Sequence, residues 1–156
     1  MDNSKIQIEK IEYTDILVLW KLLWPDTTDI QPMSSIQYLG SYDIEIYKKY
    51  EPTYVGLYDS KKLVGCISGH KSSSEYYRTR GIYILPDYRG QRLSNILFEQ
   101  MFLESQNQNC NFIWSLPRKS ALYSYTSKGF IQTTKFIKIN KDYDSNCFVL
   151  KKIENK

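Results

Sequence analysis

A chain of 156 residues, 42% hydrophobic and 24% charged, is long enough to bury one core and short for two, which sets a single domain over residues 1–156 and excludes wholesale disorder. Its net charge of +4 comes mainly from scattered lysines, without the arginine-rich arm, aromatic run or zinc spacing of a nucleic-acid module, and suits an anionic nucleotide cofactor equally well. Three widely spaced cysteines and a single histidine argue against a disulfide framework or a metal site and fit reduced thiols in the cytoplasm, and neither a secretory-type start nor an apolar run of the roughly 18 to 20 residues a membrane span needs is expected.

In chain order, Ile6, Ile8 and Ile11 alternate with polar residues as in a half-buried strand. Thr14-Asp15 offers a cap for a helix running through Ile16, Leu19, Trp20 and Leu23 to Pro25; its apolar set is too dense for one stripe and predicts a mostly buried helix. A polar loop over 26–32 leads to a weaker helical stretch, Met33 to Tyr50. From Thr53 the period changes: Tyr54, Val55 and Leu57, the turn Asp59-Ser60-Lys61-Lys62, then Leu63, Val64, Cys66 and Ile67 make a hairpin. A strand from about Glu75 to Leu85, ended by Pro86, precedes a long amphipathic helix over Arg89 to Gln106. Asn111 to Leu116 reads as a short strand, Ser120 to Lys128 as a helix closed by Gly129, and Phe130 to Ile139 with Asn146 to Ile153 as a last antiparallel pair. The order implies a mixed α/β sheet with helices on both faces.

The segment Ile82 to Leu97 carries the chemistry. A strand, a tight turn and a glycine-containing loop open a helix, so unpaired first-turn N–H groups and the positive end of the helix dipole are offered to a phosphate, with Arg89 and Arg92 beside them. The same pattern also describes an ordinary solvated helix start. Further on, Ala121, Tyr125, Gly129 and Phe130 keep a fixed register.

With these residues the chain resembles the GCN5-related N-acetyltransferase (GNAT) family, whose core pattern is Gln/Arg-x-x-Gly-x-Gly/Ala and whose later helix reads Asn-x-x-Ala-x-x-x-Tyr-x-x-x-Gly-Phe. Arg89 matches the first position, and Ala121, Tyr125, Gly129 and Phe130 match the second motif. Arg92 stands where the family usually has Gly, Ser94 where it has Gly or Ala, and Arg118 where it often has Asn. The resemblance implies a central, twisted, mostly antiparallel sheet with one splayed parallel strand pair. It implies acetyl-CoA as cosubstrate, bound by Ile82, Tyr83, Ile84, Arg89, Gly90, Gln91, Arg92, Leu93, Ser94 and Arg118, with the pantetheine arm pairing to strand backbone near Ile82 to Ile84 and a strand N–H polarising the thioester carbonyl. It implies direct transfer to an amine, small or on a peptide or protein, with Tyr125 as the acid that protonates the departing thiolate: a phenol of pKa about 10 holds its proton at neutral pH, above a thiol at about 8.5. Without the resemblance, Tyr125 is one of fourteen tyrosines and reads as helix packing. His70 and Glu75 are candidates for the base, Asp26, Asp29 and Asp43 for drawing in a cationic amine, and each reads equally as a surface residue. A non-catalytic acyl-CoA-binding relative, a nucleic-acid module and pairing of two copies stay open at this stage.

Overall fold

The computed structural model describes residues 5–34, 36, 44–138 and 146–154. Seven strands form one sheet in the order β1-β2-β3-β4-β5-β7-β6, with β1 Ile6–Ile11, β2 Thr53–Asp59, β3 Lys62–Lys71, β4 Tyr76–Ile84, β5 Phe112–Ser115, β6 Ile131–Gln132 and β7 Val149–Lys152. β1 to β4 follow one another as antiparallel neighbours. Between β4 and β5 the chain crosses over through helix α3, Leu93–Asn107, and such a crossover returns the strand parallel to its neighbour. Helix α1, Tyr13–Leu23, covers one face, where Ile16, Leu19 and Trp20 bury against Tyr54 and Cys66. α3 covers the other, with Leu97, Phe98 and Met101 in a larger cluster that includes Val55, Ile67, Tyr77 and Ile113. Two short helices complete the fold, α2 Ile44–Lys49 and α4 Leu122–Thr126. Among the described residues no helix is long and apolar enough to cross a membrane.

The mixed sheet, the helices on both faces and the parallel pair agree with the sequence reading; several details differ for physical reasons. α1 begins at Tyr13 with Glu12 as its N-cap, and the Asp15 carboxylate accepts from the Glu12 N–H at 3.0 Å, so Asp15 closes a capping box from inside the first turn, where Thr14 also lies. Its expected near-complete burial is corrected: Val18 is 63% and Leu22 53% exposed, because one helix on one sheet face covers a single stripe. α2 is shorter than the stretch from Met33 to Tyr50, of which residues 35 and 37–43 lie outside those described. α3 starts at Leu93 instead of Arg89, since Gly90 and Arg92 adopt positive φ. A 3₁₀ turn at Lys119–Ala121 precedes α4. The last pair narrows to β6 and β7, with 139–145 outside the described residues, and β7 inserts between β5 and β6.

β4 is bulged where it matters. Its register with β3 passes from Cys66↔Tyr83 to Ser68↔Arg80, one more residue on β4 than on β3. Gly81 takes up the difference at φ +72°, and a Cβ there would lie 2.3 Å from the Trp20 indole nitrogen, which donates to the Gly81 carbonyl at 2.9 Å. One extra residue inverts the facing of the strand. Tyr77 before the bulge and Ile82 and Ile84 after it pack on the α3 side; Arg80 before it and Tyr83 after it pack on the α1 side. β4 and β5 pair only from Tyr76↔Phe112 to Arg78↔Trp114, and β4 continues alone to Ile84.

Candidate active site

Two clefts open along β4. The first, about 470 Å³, is lined by Ile82, Tyr83 and Ile84 of the strand, by Arg89, Gly90, Arg92, Leu93 and Ser94 of the loop and helix start, and by Ser120, Ala121 and Ser124 near α4. The loop that turns β4 into α3 is tied down at both ends. The Leu85 N–H donates to Val64 at 2.9 Å, the Tyr88 hydroxyl donates to the Asp59 carboxylate at 2.7 Å, and Arg89 Nε donates to the Ile84 carbonyl at 2.8 Å with its guanidinium over the Tyr83 ring.

Gly90 sits at φ +78° with nothing within 4 Å of the position a Cβ would take. Its glycine answers a backbone need, not a packing one. Arg92 is left-handed as well, at φ 61° and ψ 22°. The arginine that replaces the family's glycine keeps the backbone shape a glycine would supply, at a cost of about 1–2 kcal/mol, and leaves its side chain exposed. The strand backbone, the start of α3, two left-handed turns and two guanidiniums make a cleft that fits an elongated ligand with a diphosphate.

Of the residues the sequence assigns to the cofactor, Ile82, Tyr83, Ile84, Arg89, Gly90, Arg92, Leu93 and Ser94 meet here. Gln91 and Arg118 are not on this lining. The Gln91 Oε1 is buried in the loop, and Arg118 belongs to the second cleft.

Tyr125 is 3% exposed, wedged edge-on against Phe98 and Phe130 at 5.1 and 5.3 Å between ring centres. Its hydroxyl lies 3.3 Å from Ser115 Oγ, and Ser115 donates to the Thr79 carbonyl at 2.7 Å. A serine has one proton; with the shorter contact taking it, the phenol keeps its own. Burial raises the Tyr125 pKa, against smaller opposing effects of the Ser115 hydrogen bond and the Arg78 charge. The phenol therefore holds its proton at neutral pH, joined through Ser115 to β4 beside the unpaired part of the β4–β5 seam. Tyr123 is 81% exposed and outside this set.

The second cleft, about 550 Å³, lies on the α1 side. Its lining includes Trp24, Asp29 and Gln31 after α1, Arg78 and Arg80 of β4, and Leu116, Arg118 and Asn146 beyond β5 and before β7. Arg80 lies against the Trp20–Trp24 pair, 4.8 and 5.0 Å from the ring centres, and its Nη1 donates to the Gln31 carbonyl at 3.0 Å. Arg78 stacks on Trp114 at 4.6 Å. These arginines were missed by the sequence reading, although Arg78-Thr79-Arg80 in a strand puts both on one face; for Ser115 there was no signal.

Neither base candidate meets the clefts. His70 is 1% exposed on β3 opposite Arg78, and burial, with the Arg78 and Arg80 charges, pushes its pKa down to about 3. Glu75 lies at the start of β4, where its carboxylate accepts from the Asn111 amide at 2.7 Å. Asp29 lines the second cleft. Asp26 does not, and Asp43 is outside the described residues.

Solved structures share this architecture end to end. Ard1 from Thermoplasma volcanium superposes with a TM-score of 0.74 at 15% identity, over 97% of this chain and 100% of that one. An aminoglycoside 6'-N-acetyltransferase complexed with coenzyme A gives 0.71 at 13% identity, over 96% and 98%. The ribosomal-protein-S18-alanine N-acetyltransferase from Escherichia coli gives 0.64 at 17% identity, over 97% and 96%. At such identities the likeness is one of fold. No curated protein matches the sequence. The acetyltransferase (GNAT) family model matches residues 16–130, a span that holds most of α1, the bulged strand, the left-handed loop and Tyr125, and the chain belongs to that family.

Proposed function

We propose that the protein moves the acetyl group of acetyl-CoA directly to an amine, with Tyr125 as the general acid. The cosubstrate supplies an activated acyl group as a thioester whose sulfur leaves as a thiolate. The chain's own part is to hold, orient and protonate. The loop Arg89 to Ser94 and the start of α3 offer backbone N–H groups, a helix dipole and two guanidiniums to the diphosphate. The backbone of Ile82 to Ile84, left without a strand partner on the β5 side, offers an edge to the amide-bearing arm. Tyr125 holds a proton in a dry, aromatic surround where its pKa is raised. Tyr125 lies on neither lining, and its buried contact through Ser115 to Thr79 of β4, the strand that lines both clefts, carries the reading.

The alternative of a binder without transfer activity rests on Arg92 and Arg118 at motif positions; the left-handed backbone kept at Arg92 speaks against the first of these. All three cysteines are unbridged and buried, in keeping with a reducing, cytoplasmic setting.

Tyr125→Phe tests the assignment. Turnover should fall about a hundred- to ten-thousand-fold when chemistry limits the rate, with CoA affinity and melting temperature close to those of the parent, since the ring that packs on Phe98 and Phe130 is kept. Tyr123→Phe is the exposed control. Full turnover in Tyr125→Phe, read as thiol release from acetyl-CoA, would assign the proton to another donor.

A further inference from the structure

The second cleft is more than a place for an amine. A site for a cationic acceptor is normally lined by carboxylates, yet among the described residues that line this cleft three are guanidiniums, Arg78, Arg80 and Arg118, and one is a carboxylate, Asp29. Two of the guanidiniums are pre-set by aromatic contact, Arg78 on Trp114 and Arg80 against the Trp20–Trp24 pair. Holding a long side chain in one pose before a ligand arrives removes the ordering cost that binding would otherwise carry. The bulge at Gly81 is what aims Arg80 to the α1 side while Ile82 and Ile84 line the first cleft. Arg118 comes from the opposite wall, where its backbone bridges to Asn146. Cations thus face the cleft from within β4 and from the segment after β5, and not from one exposed patch.

We propose, resting on the transferase reading above, that the acceptor is a small amine that also bears a carboxylate, with Arg78, Arg80 and Arg118 as the anion-binding side and Asp29 on the ammonium side. The planar fork of Arg118 matches a carboxylate in two-point contact, while Arg80, whose Nη1 is held by the Gln31 carbonyl, and Arg78, 6% exposed, add positive charge behind it. A polycationic amine would meet three like charges in a partly desolvated cleft and is disfavoured.

The test is an initial-rate comparison, by thiol release from acetyl-CoA, of matched pairs: free amino acids against their methyl esters, with phosphoethanolamine and spermidine as further arms. Carboxylate-bearing amines should exceed their esters by about tenfold or more in kcat/KM, the loss of one charged hydrogen-bonding partner. Arg118→Ala should collapse that ratio through KM while CoA affinity is retained. Esters or spermidine used as well as the acids, or a ratio unchanged in Arg118→Ala, would overturn the proposal; phosphoethanolamine alone being preferred would do so too, by assigning the site to phosphate. Binding supplies a readout independent of turnover. With CoA present, the free amino acids should raise the melting temperature of the parent and not of Arg118→Ala, and their esters should not. Should no amine release thiol while this selective stabilisation is seen, the transfer reading fails and the carboxylate site stands; if the acids give neither rate nor stabilisation while CoA binds, the carboxylate site is wrong.

Discussion

The two clefts share β4 and are built by opposite means. From Ile82 to Ser94 the ligand-facing material is largely backbone: an unpaired strand edge, left-handed turns at Gly90 and Arg92, and the start of α3. From Arg78 to Arg80, and at Arg118 across the opening, it is side chain, with guanidiniums held on indole rings. Backbone recognition depends on conformation, so it tolerates an arginine where relatives carry glycine as long as φ stays positive. Side-chain recognition depends on identity and changes with every substitution. The first kind suits a cosubstrate common to a family, the second an acceptor that differs from member to member.

The largest effect that would break this division falls on the bulge, which both clefts need. Gly81→Ala combines φ +72° with a Cβ 2.3 Å from the Trp20 indole nitrogen, and should cost about 3 kcal/mol or more in urea denaturation. Near-parental stability would mean that the bulge can relax, and the two clefts would then not be coupled through it.

A smaller effect sharpens the electrostatic side. His70 is neutral when folded, with its pKa pushed down to about 3 by burial and by Arg78 and Arg80, against about 6.5 in an unfolded chain. The folded pKa being the lower, the unfolded state binds the proton first. Stability is fully present above about pH 6.5 and is lost as the pH falls from there toward 3. Between pH 7 and pH 5 the parent should lose about 2 kcal/mol more than His70→Gln. Equal losses in the two would show that His70 carries no part of the acid sensitivity.

The backbone side is probed by Gly90→Val. The added side chain meets no atom within 4 Å, so only the left-handed φ is challenged, and a β-branched residue resists it strongly. CoA affinity should weaken about tenfold, for about 1.4 kcal/mol of loop strain; an unchanged Kd in the folded variant would remove the loop from the cofactor site.

The smallest effect separates shape from charge at one residue. Arg92→Gly relieves the left-handed strain and should stabilise by up to about 1 kcal/mol, or about 2–4 °C in Tm. Arg92→Ala keeps the strain. If the guanidinium meets the diphosphate, both variants should bind CoA more weakly than the parent, by a margin that shrinks as salt rises; tighter binding in Arg92→Ala would show the side chain to be an obstruction.

What could be read in the sequence divides along the same line. The alternation at Ile6 to Ile11, the hairpin around Asp59 to Lys62 and the run from Ile82 to Leu97 are local patterns, and the structure has elements there. The cofactor-facing loop was legible because its chemistry is contiguous in the chain. The second cleft was not: Trp20, Arg80, Trp114 and Arg118 come from separate elements, and their meeting follows from sheet order and from a bulge at Gly81 whose only sequence mark is a glycine within a strand pattern. Arg118 illustrates the limit, since a motif position suggested the cofactor side and the turn before α4 carries it to the other opening. Ser115 next to Tyr125 likewise depends on β5 lying beside β4.

The short parallel seam has a kinetic consequence. β2, β3 and β4 zip together as hairpin neighbours and β1 returns to β2 over a six-residue register, whereas β5, β7 and β6 join the sheet through the shorter register from Tyr76↔Phe112 to Arg78↔Trp114. With few paired residues to offset the loop-closure cost, the seam should be late to assemble and early to breathe. Amide hydrogen exchange should therefore show two cooperative units meeting at β4, and a ligand lying in the gap would act as the strand that the sheet lacks, slowing exchange in both halves at once.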